Sequence, residues 1–171
     1  GNLHEASILA WACENLPGAP YELHNEQRRV ELADGLLVGH IDGTGLRKDG
    51  LQFLLEAKCL AKRGFQELRE KGVKEAFPQY FTQVQLYLAG AGLEAGYLVA
   101  RNKETPKTRL WDMHYELIEA DPVFVADTVG ELIRIQVAID KRIEIEPPYT
   151  PEDNWQCRPP WCEYSHLCHP D

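Results

Sequence analysis

Apolar residues recur at helical spacing near the start of the chain. Leu3, Ile8, Leu9, Trp11 and Ala12 predict a helix over residues 2 to about 14, stopped by Pro17-Gly18 and Pro20. An extended region follows. Tyr21 to Leu32 suits a polar, half-exposed strand, Asp34-Gly35 marks a tight turn, and Leu36 to Ile41 reads as a second, more buried strand. The glycine-rich stretch Gly43 to Gly50 predicts a loop into a third strand, Leu51 to Lys58, giving an antiparallel meander. Lys62 to about Lys74 is a basic connector with some helical character. Ala76 to Ala91 then carries a helical period through Phe77, Tyr80, Val84, Tyr87 and Leu88, ended by Gly90 and Gly92. Ala95 to Ala100 and Arg109 to Leu117 read as strands. Asp121 to Lys141 reads as a long amphipathic helix started by Asp121-Pro122, and the tail from Pro147 is loop-like.

This order predicts an α/β core, a mixed central sheet flanked by helices, over residues 1–146. A Cys-rich, metal-bearing tail, residues 147–171, is expected to pack on the same domain. No internal repeat or low-complexity tract interrupts it. The composition, 44% hydrophobic and 26% charged over 171 residues, suits one soluble domain with a real core. No apolar run approaches the roughly 20 residues that cross a bilayer, and the start lacks the pattern of a secretory signal, so a cytoplasmic location is expected. The chain begins Gly1-Asn2-Leu3 without Met, which leaves open a processed chain or a domain of a longer one.

The strand Leu51 to Lys58 is apolar on both faces, which predicts a central place in the sheet. Its period of two puts Glu56 and Lys58 on one face and Ala57 on the other. Burying a charge costs several kcal/mol per ion unless it is paired or metal-bound. A structural ion pair is the plain reading of the two. Asp42 changes the picture, because a hairpin closed through the 43–50 loop would bring it near Glu56. Two carboxylates sharing one site repel, whereas a hard divalent cation with oxygen ligands makes the arrangement favourable. A nearby ammonium then orients a water or stabilises charge developing on phosphorus, a division of labour suited to phosphodiester hydrolysis.

The formal net charge of −9 argues against a nucleic-acid partner when taken alone. Its distribution weakens the objection. Lys58, Lys62, Arg63, Arg69, Lys71 and Lys74 lie in a stretch whose acids are Glu67 and Glu70, although such a run is also what a solvated helix face looks like. Gln79 and Gln83 fall one turn apart on one helix face, with Tyr87 one turn further on. His40 shares a strand face with Asp42, as a supporting or simply a packed residue.

Glu-x-Lys by itself is common. Four segments in a fixed order carry more weight: Gly1-Asn2-Leu3-His4-Glu5, Gly39-His40-Ile41-Asp42-Gly43, Leu55-Glu56-Ala57-Lys58, and Gln79-Tyr80-Phe81-Thr82-Gln83-Val84-Gln85-Leu86-Tyr87. Together they span about half the chain. With them the sequence resembles the RecB-like branch of the PD-(D/E)XK nucleases, which includes lambda-type phage exonucleases and small CRISPR-adaptation nucleases with a cysteine-rich tail. The resemblance implies that His4, Asp42, Glu56 and the Ala57 carbonyl coordinate one or two Mg or Mn ions, and that Lys58 positions the attacking water. It implies Glu5 as an extra acid, and Gln83 and Tyr87 as the Gln-x-x-x-Tyr signature beside the metal and DNA. Lys62, Arg63, Lys74, Gln79 and Tyr80 would guide the DNA strand, with Tyr80 or Phe81 stacking on bases. The expected activity is a metal-dependent deoxyribonuclease, an exonuclease on single-stranded or frayed DNA ends, serving recombination, phage or CRISPR-adaptation processing, with a recombination or adaptation protein as partner. A noncatalytic DNA-binding or assembly subunit that keeps the fold is the alternative.

Five Cys in a chain read as cytosolic seldom mean disulfides, and Cys157-x4-Cys162-x5-Cys168 has spacing suited to one metal centre. Cys13 and Cys59 sit among apolar residues and are expected to be small buried thiols. Cys162-Glu163-Tyr164-Ser165-His166-Leu167-Cys168 resembles the Cys-x-Tyr-x-x-x-Cys end of the family's iron-sulfur nucleases, which implies a four-iron four-sulfur cluster. The family's first gap is shorter than this one, and its N-terminal Cys falls upstream of the Gly-x-x-His-Glu helix, so Cys13 is a displaced candidate for the fourth ligand. Zinc is the competing centre, with His166 or His169 completing it.

Overall fold

In the computed structural model, which describes residues 2–24, 26–104 and 112–145 and side chains from residue 5 onward, the elements follow in this order. Helix α1 (Asn2–Asn15) leads to strands β1 (Glu22–His24), β2 (Arg29–Leu32), β3 (Leu37–His40), β4 (Gly43–Leu46) and β5 (Gln52–Leu60). Helices α2 (Lys62–Lys71), α3 (Val73–Ala76) and α4 (Pro78–Ala91) precede strands β6 (Ala95–Asn102) and β7 (Met113–Glu119), and helix α5 (Pro122–Lys141) ends the series. By contact density the chain divides into two compact units, residues 1–130 and 131–171.

The first unit is mixed α/β, with a five-stranded sheet in the order β1-β4-β5-β6-β7. β5 pairs antiparallel with β4 and parallel with β6, and β6 pairs antiparallel with β7. The expectation that the strand carrying Glu56 is central is met. Its alternation feeds two cores. Phe53 and Leu55 face α1, whose Ile8, Leu9, Ala12 and Cys13 recur at i, i+1, i+4 and i+5 and, with Leu16 just beyond the helix, are buried against them. Leu54 and Leu60 face the other way, onto Phe65 and Leu68 of α2 and Val84 and Leu88 of α4. Truncating a fully buried leucine such as Leu88 to Ala would cost about 2–5 kcal/mol. The central sheet is thus flanked by helices on both faces.

The meander differs from expectation. The region 21–32 forms two short strands in different sheets, because Gln27 takes a left-handed φ of 54° and turns the chain between them. β2 pairs with β3 alone, Arg29 opposite His40 and Leu32 opposite Leu37, as a two-stranded ribbon outside the main sheet. β3 is not the more buried strand: His40 and Val38 are exposed, and this ribbon packs against α4. The stretch read as a 43–50 loop is half strand, β4, and only Arg47 to Leu51 turns, closed by Arg47 N–H donating to the Leu51 carbonyl. The basic connector is regular helix, α2, with Phe65 and Leu68 buried beneath its charged face.

Gly92 ends α4 in the left-handed conformation, while Gly90 remains inside the helix. Asp121 Oδ1 accepts the Phe124 N–H at 3.0 Å, the N-terminal cap that the Asp121-Pro122 pair predicts. In the second unit α5 closes with Arg142 at φ 53° and Ile143 N–H donating to the Ala138 carbonyl. No helix among the described residues is long and apolar enough to cross a membrane.

Candidate active site

Asp42 immediately precedes β4, and register decides what it meets. Gly43 lies opposite Leu55 across the β4–β5 ladder, so one step back along the chain puts Asp42 beside Glu56 and Ala57. The proximity read from the sequence is present, though it arises from the start of β4 rather than from a hairpin closed by a 43–50 loop. Asp42 Oδ2 accepts the Ala57 N–H at 2.7 Å. Burial pushes the Asp42 pKa up, and the Ala57 N–H, the Lys58 charge and the Gln27 side chain work against that rise.

Glu56 and Lys58 leave β5 on the same face, as a period of two requires. Glu56 is only 2% exposed, and its Oε1 accepts a hydrogen bond from Lys58 Nζ at 2.6 Å. Its Oε2 is buried and has no hydrogen-bond partner among the described residues. Burial pushes the Glu56 pKa up to about 7; the Lys58 ammonium opposes this, while the charges of Asp42 and Glu5 add to it. A carboxylate buried at the centre of a sheet with one oxygen unpartnered is costly, and a cation or a proton on it relieves that cost.

Lys58 is held from the helix side as well. Its Nζ donates to Gln83 Oε1 at 2.9 Å and lies 4.7 Å from the centroid of the Tyr80 ring. Gln83 Nε2 in turn donates to the Tyr87 hydroxyl at 3.0 Å. Tyr87 fits only because residue 39 is glycine, since a methyl group there would lie 2.5 Å from Tyr87 Cε1. Residues 79, 80, 83 and 87 all belong to α4, so the one-turn spacing brings the two amides and the phenol to a single helix face, with Gln79 exposed at its outer end.

Glu5, on α1, accepts a hydrogen bond from Gln27 Nε2 at 2.6 Å. Gln27 thereby links Glu5 to Asp42, a role that nothing in the sequence pattern singles out, because it depends on a left-handed residue in an irregular turn. His4 lies on α1, but its side chain is outside the described residues, as are Cys157, Cys162 and Cys168. Among the described residues no three His, Cys, Asp or Glu side chains gather closely enough to hold a metal ion. The donors among the described residues are the buried Glu56 carboxylate, with one oxygen unpartnered, and the half-buried Asp42 carboxylate, both with raised pKa values, a hard-oxygen set that suits Mg or Mn rather than a softer ion.

The other predicted residues are spread more widely. Lys62, Arg63 and Lys74 are exposed and form no ion pair with any described residue, whereas Arg69 pairs with Asp112 and Lys71 with Glu67, so part of the basic stretch is neutralised. Lys74 Nζ sits 5.0 Å from the Phe81 ring centroid. Cys13 is buried in the α1 core, with its thiol pKa raised chiefly by burial, and does not gather with other ligands among the described residues. Cys59 is exposed, which corrects the expectation of a buried thiol, because it falls near the end of β5 where α1 no longer covers the sheet.

No family profile and no curated protein matches the chain. Solved structures do. An alkaline exonuclease, LHK-Exo, from Laribacter hongkongensis is 19% identical with a TM-score of 0.66, over 84% of this chain and 68% of that one. LHK-Exo in complex with dAMP gives 18% and 0.64 over the same shares. A protein designated SSO0001 gives 16% and 0.51, over 98% of this chain and 68% of that one. At these identities the likeness is one of architecture, and the chain has the fold of an alkaline exonuclease.

Proposed function

We propose that this protein is a metal-dependent DNA nuclease of the PD-(D/E)XK type that hydrolyses phosphodiester bonds at DNA ends. One observation carries the reading: in the second half of a central strand, Lys58 Nζ is bonded to buried Glu56 while Asp42 is tied to the Ala57 amide between them. Likeness of fold to an alkaline exonuclease supports it.

Asp42 and Glu56 would hold Mg or Mn, with His4 and the Ala57 carbonyl completing the set. Bound there, the ion supplies Lewis-acid stabilisation of charge at the scissile phosphate. The remaining work belongs to the chain. The Ala57 N–H fixes which Asp42 oxygen turns toward the site. Lys58, pinned between Glu56 and Gln83, has one N–H left to orient an attacking water and to offset charge growing on phosphorus. Glu5 adds a further carboxylate at the edge. Lys62, Arg63, Lys74, Gln79 and Tyr87 would steer a single-stranded or frayed end toward it, the exposed cations by phosphate contact. The triplet Cys157, Cys162 and Cys168 would hold an iron-sulfur cluster or zinc with a structural role. Recombination or CRISPR adaptation are processes that such an end-trimming activity would serve.

The test is digestion of linear and closed-circular DNA with Mg or Mn, comparing wild type with Asp42→Ala and Lys58→Ala. Loss of linear substrate by wild type alone is expected. Wild-type protein as inert as both variants would overturn the proposal.

A further inference from the structure

We infer that Tyr80 is a positioning residue whose ring holds the Lys58 ammonium at the reacting point, a role that rests on the nuclease reading above. A lysine side chain carries its charge on a flexible four-carbon stem, so a lysine that must act at one place has to be restrained. Among the described residues three groups touch Lys58 Nζ: Glu56 Oε1 at 2.6 Å, Gln83 Oε1 at 2.9 Å, and the Tyr80 ring at 4.7 Å from its centroid. The first two direct two of the three ammonium N–H bonds. The ring face attracts the cation through its quadrupole and adds no net negative charge.

The ring is itself braced. Tyr80 stacks on Phe77, centroids 5.2 Å apart and planes 24° from parallel. Phe77 abuts α2 at Gly64, where an added methyl would stand 3.2 Å from Phe77 Cζ. The stack therefore carries position from α2 through two rings to Lys58. Among the described residues the Tyr80 hydroxyl makes no hydrogen bond, so the ring face, which phenylalanine shares, is the part that acts.

Tyr80→Phe and Tyr80→Leu separate these roles. Tyr80→Leu is expected to lower kcat about tenfold with KM for single-stranded DNA unchanged, and Tyr80→Phe to keep wild-type kcat. In proton NMR the Lys58 ε-methylene should lie upfield in wild type and in Tyr80→Phe, from the ring current, and move downfield in Tyr80→Leu. An unshifted Lys58 signal in wild type overturns the contact. Wild-type kcat in Tyr80→Leu overturns the role, as does a raised KM at unchanged kcat, which would make the ring a base-stacking surface for DNA. A Tyr80→Phe protein as slow as Tyr80→Leu does so too, by assigning the effect to the hydroxyl. Wild-type protein that cleaves no DNA overturns the nuclease reading alone, since the ring-current comparison still decides whether Tyr80 holds Lys58.

Discussion

Asp42 and Ala57, 15 residues apart, are joined by a 2.7 Å hydrogen bond from the Ala57 amide to the Asp42 carboxylate. The bond separates two tasks of Asp42, anchoring the entry to β4 and carrying charge into the site. An asparagine can still accept the amide but has no charge to offer. Asp42→Asn should therefore keep or raise thermal stability, since burial already raises the Asp42 pKa, while nuclease activity falls about a hundredfold or more. Asp42→Ala also strands the Ala57 N–H and should lose about 1–3 kcal/mol of stability. Thermal melts beside cleavage rates check both, and equal stability for the Asn and Ala proteins would contradict the anchoring role.

The Glu56 pKa of about 7 sets a pH dependence with a definite sign. In the folded protein the carboxyl holds its proton to higher pH than in the unfolded chain, where it is lost near the ordinary value of 4.5. Between those values the folded state binds more protons, so stability falls as pH rises through the window and levels off above it. The cost at pH 8 is about 3 kcal/mol. In metal-free protein Glu56→Gln should melt higher than wild type at pH 8, with the gap shrinking toward pH 5, and should cleave no DNA. A gap that is constant across that range would show that Glu56 does not titrate in it.

How far the sequence disclosed this arrangement depends on whether position came from periodicity or from irregular backbone. Glu56 and Lys58 share a face because strands alternate, and Gln83 and Tyr87 share one because helices repeat every 3.6 residues, so both pairs are legible. The central placement of β5 followed from apolar residues on both its faces. Asp42 was found near Glu56 although the ribbon β2–β3 was assigned to the wrong sheet, because any antiparallel entry to β5 near Gly43 brings it there. Gln27 was not legible, since its link between Glu5 and Asp42 depends on a left-handed conformation at a glutamine, a residue type that does not announce one. The Tyr80 ring over Lys58 was equally hidden: helix spacing gives the face, but not which residue of a neighbouring strand meets it.

Gly39 tests whether the ribbon transmits to the site. A methyl group at position 39 would stand 2.5 Å from Tyr87 Cε1 and 3.0 Å from its hydroxyl, the atom that receives Gln83 Nε2. Gly39→Ala should cost about 1–3 kcal/mol by overpacking and reduce activity by displacing Gln83 from Lys58. Adding Tyr87→Ala removes the clash, so the double variant should be no less active than Tyr87→Ala alone. Additive losses would mean that residue 39 acts by another route.

Divalent metal should stabilise the protein through the same two carboxylates whose burial destabilises it in metal-free solution. A ligand that binds only the folded state at about 100 times its Kd adds about 2.7 kcal/mol, which for a chain of this size raises Tm by about 5–10 °C. The ion needs ionised carboxylates. Because the Asp42 pKa is raised and that of Glu56 reaches about 7, protons compete for the site below neutrality. Mn at a fixed concentration should therefore raise Tm more at pH 8 than at pH 6, opposite in sign to the metal-free trend. In Asp42→Asn the rise should vanish at both pH values. A rise of equal size in Asp42→Asn would place the ion elsewhere in the chain and remove the ground for a metal centre at Asp42 and Glu56. A rise confined to pH 8 and lost on substitution would tie the cost of burying Glu56 to the binding of the ion, the same strain serving stability and chemistry in turn.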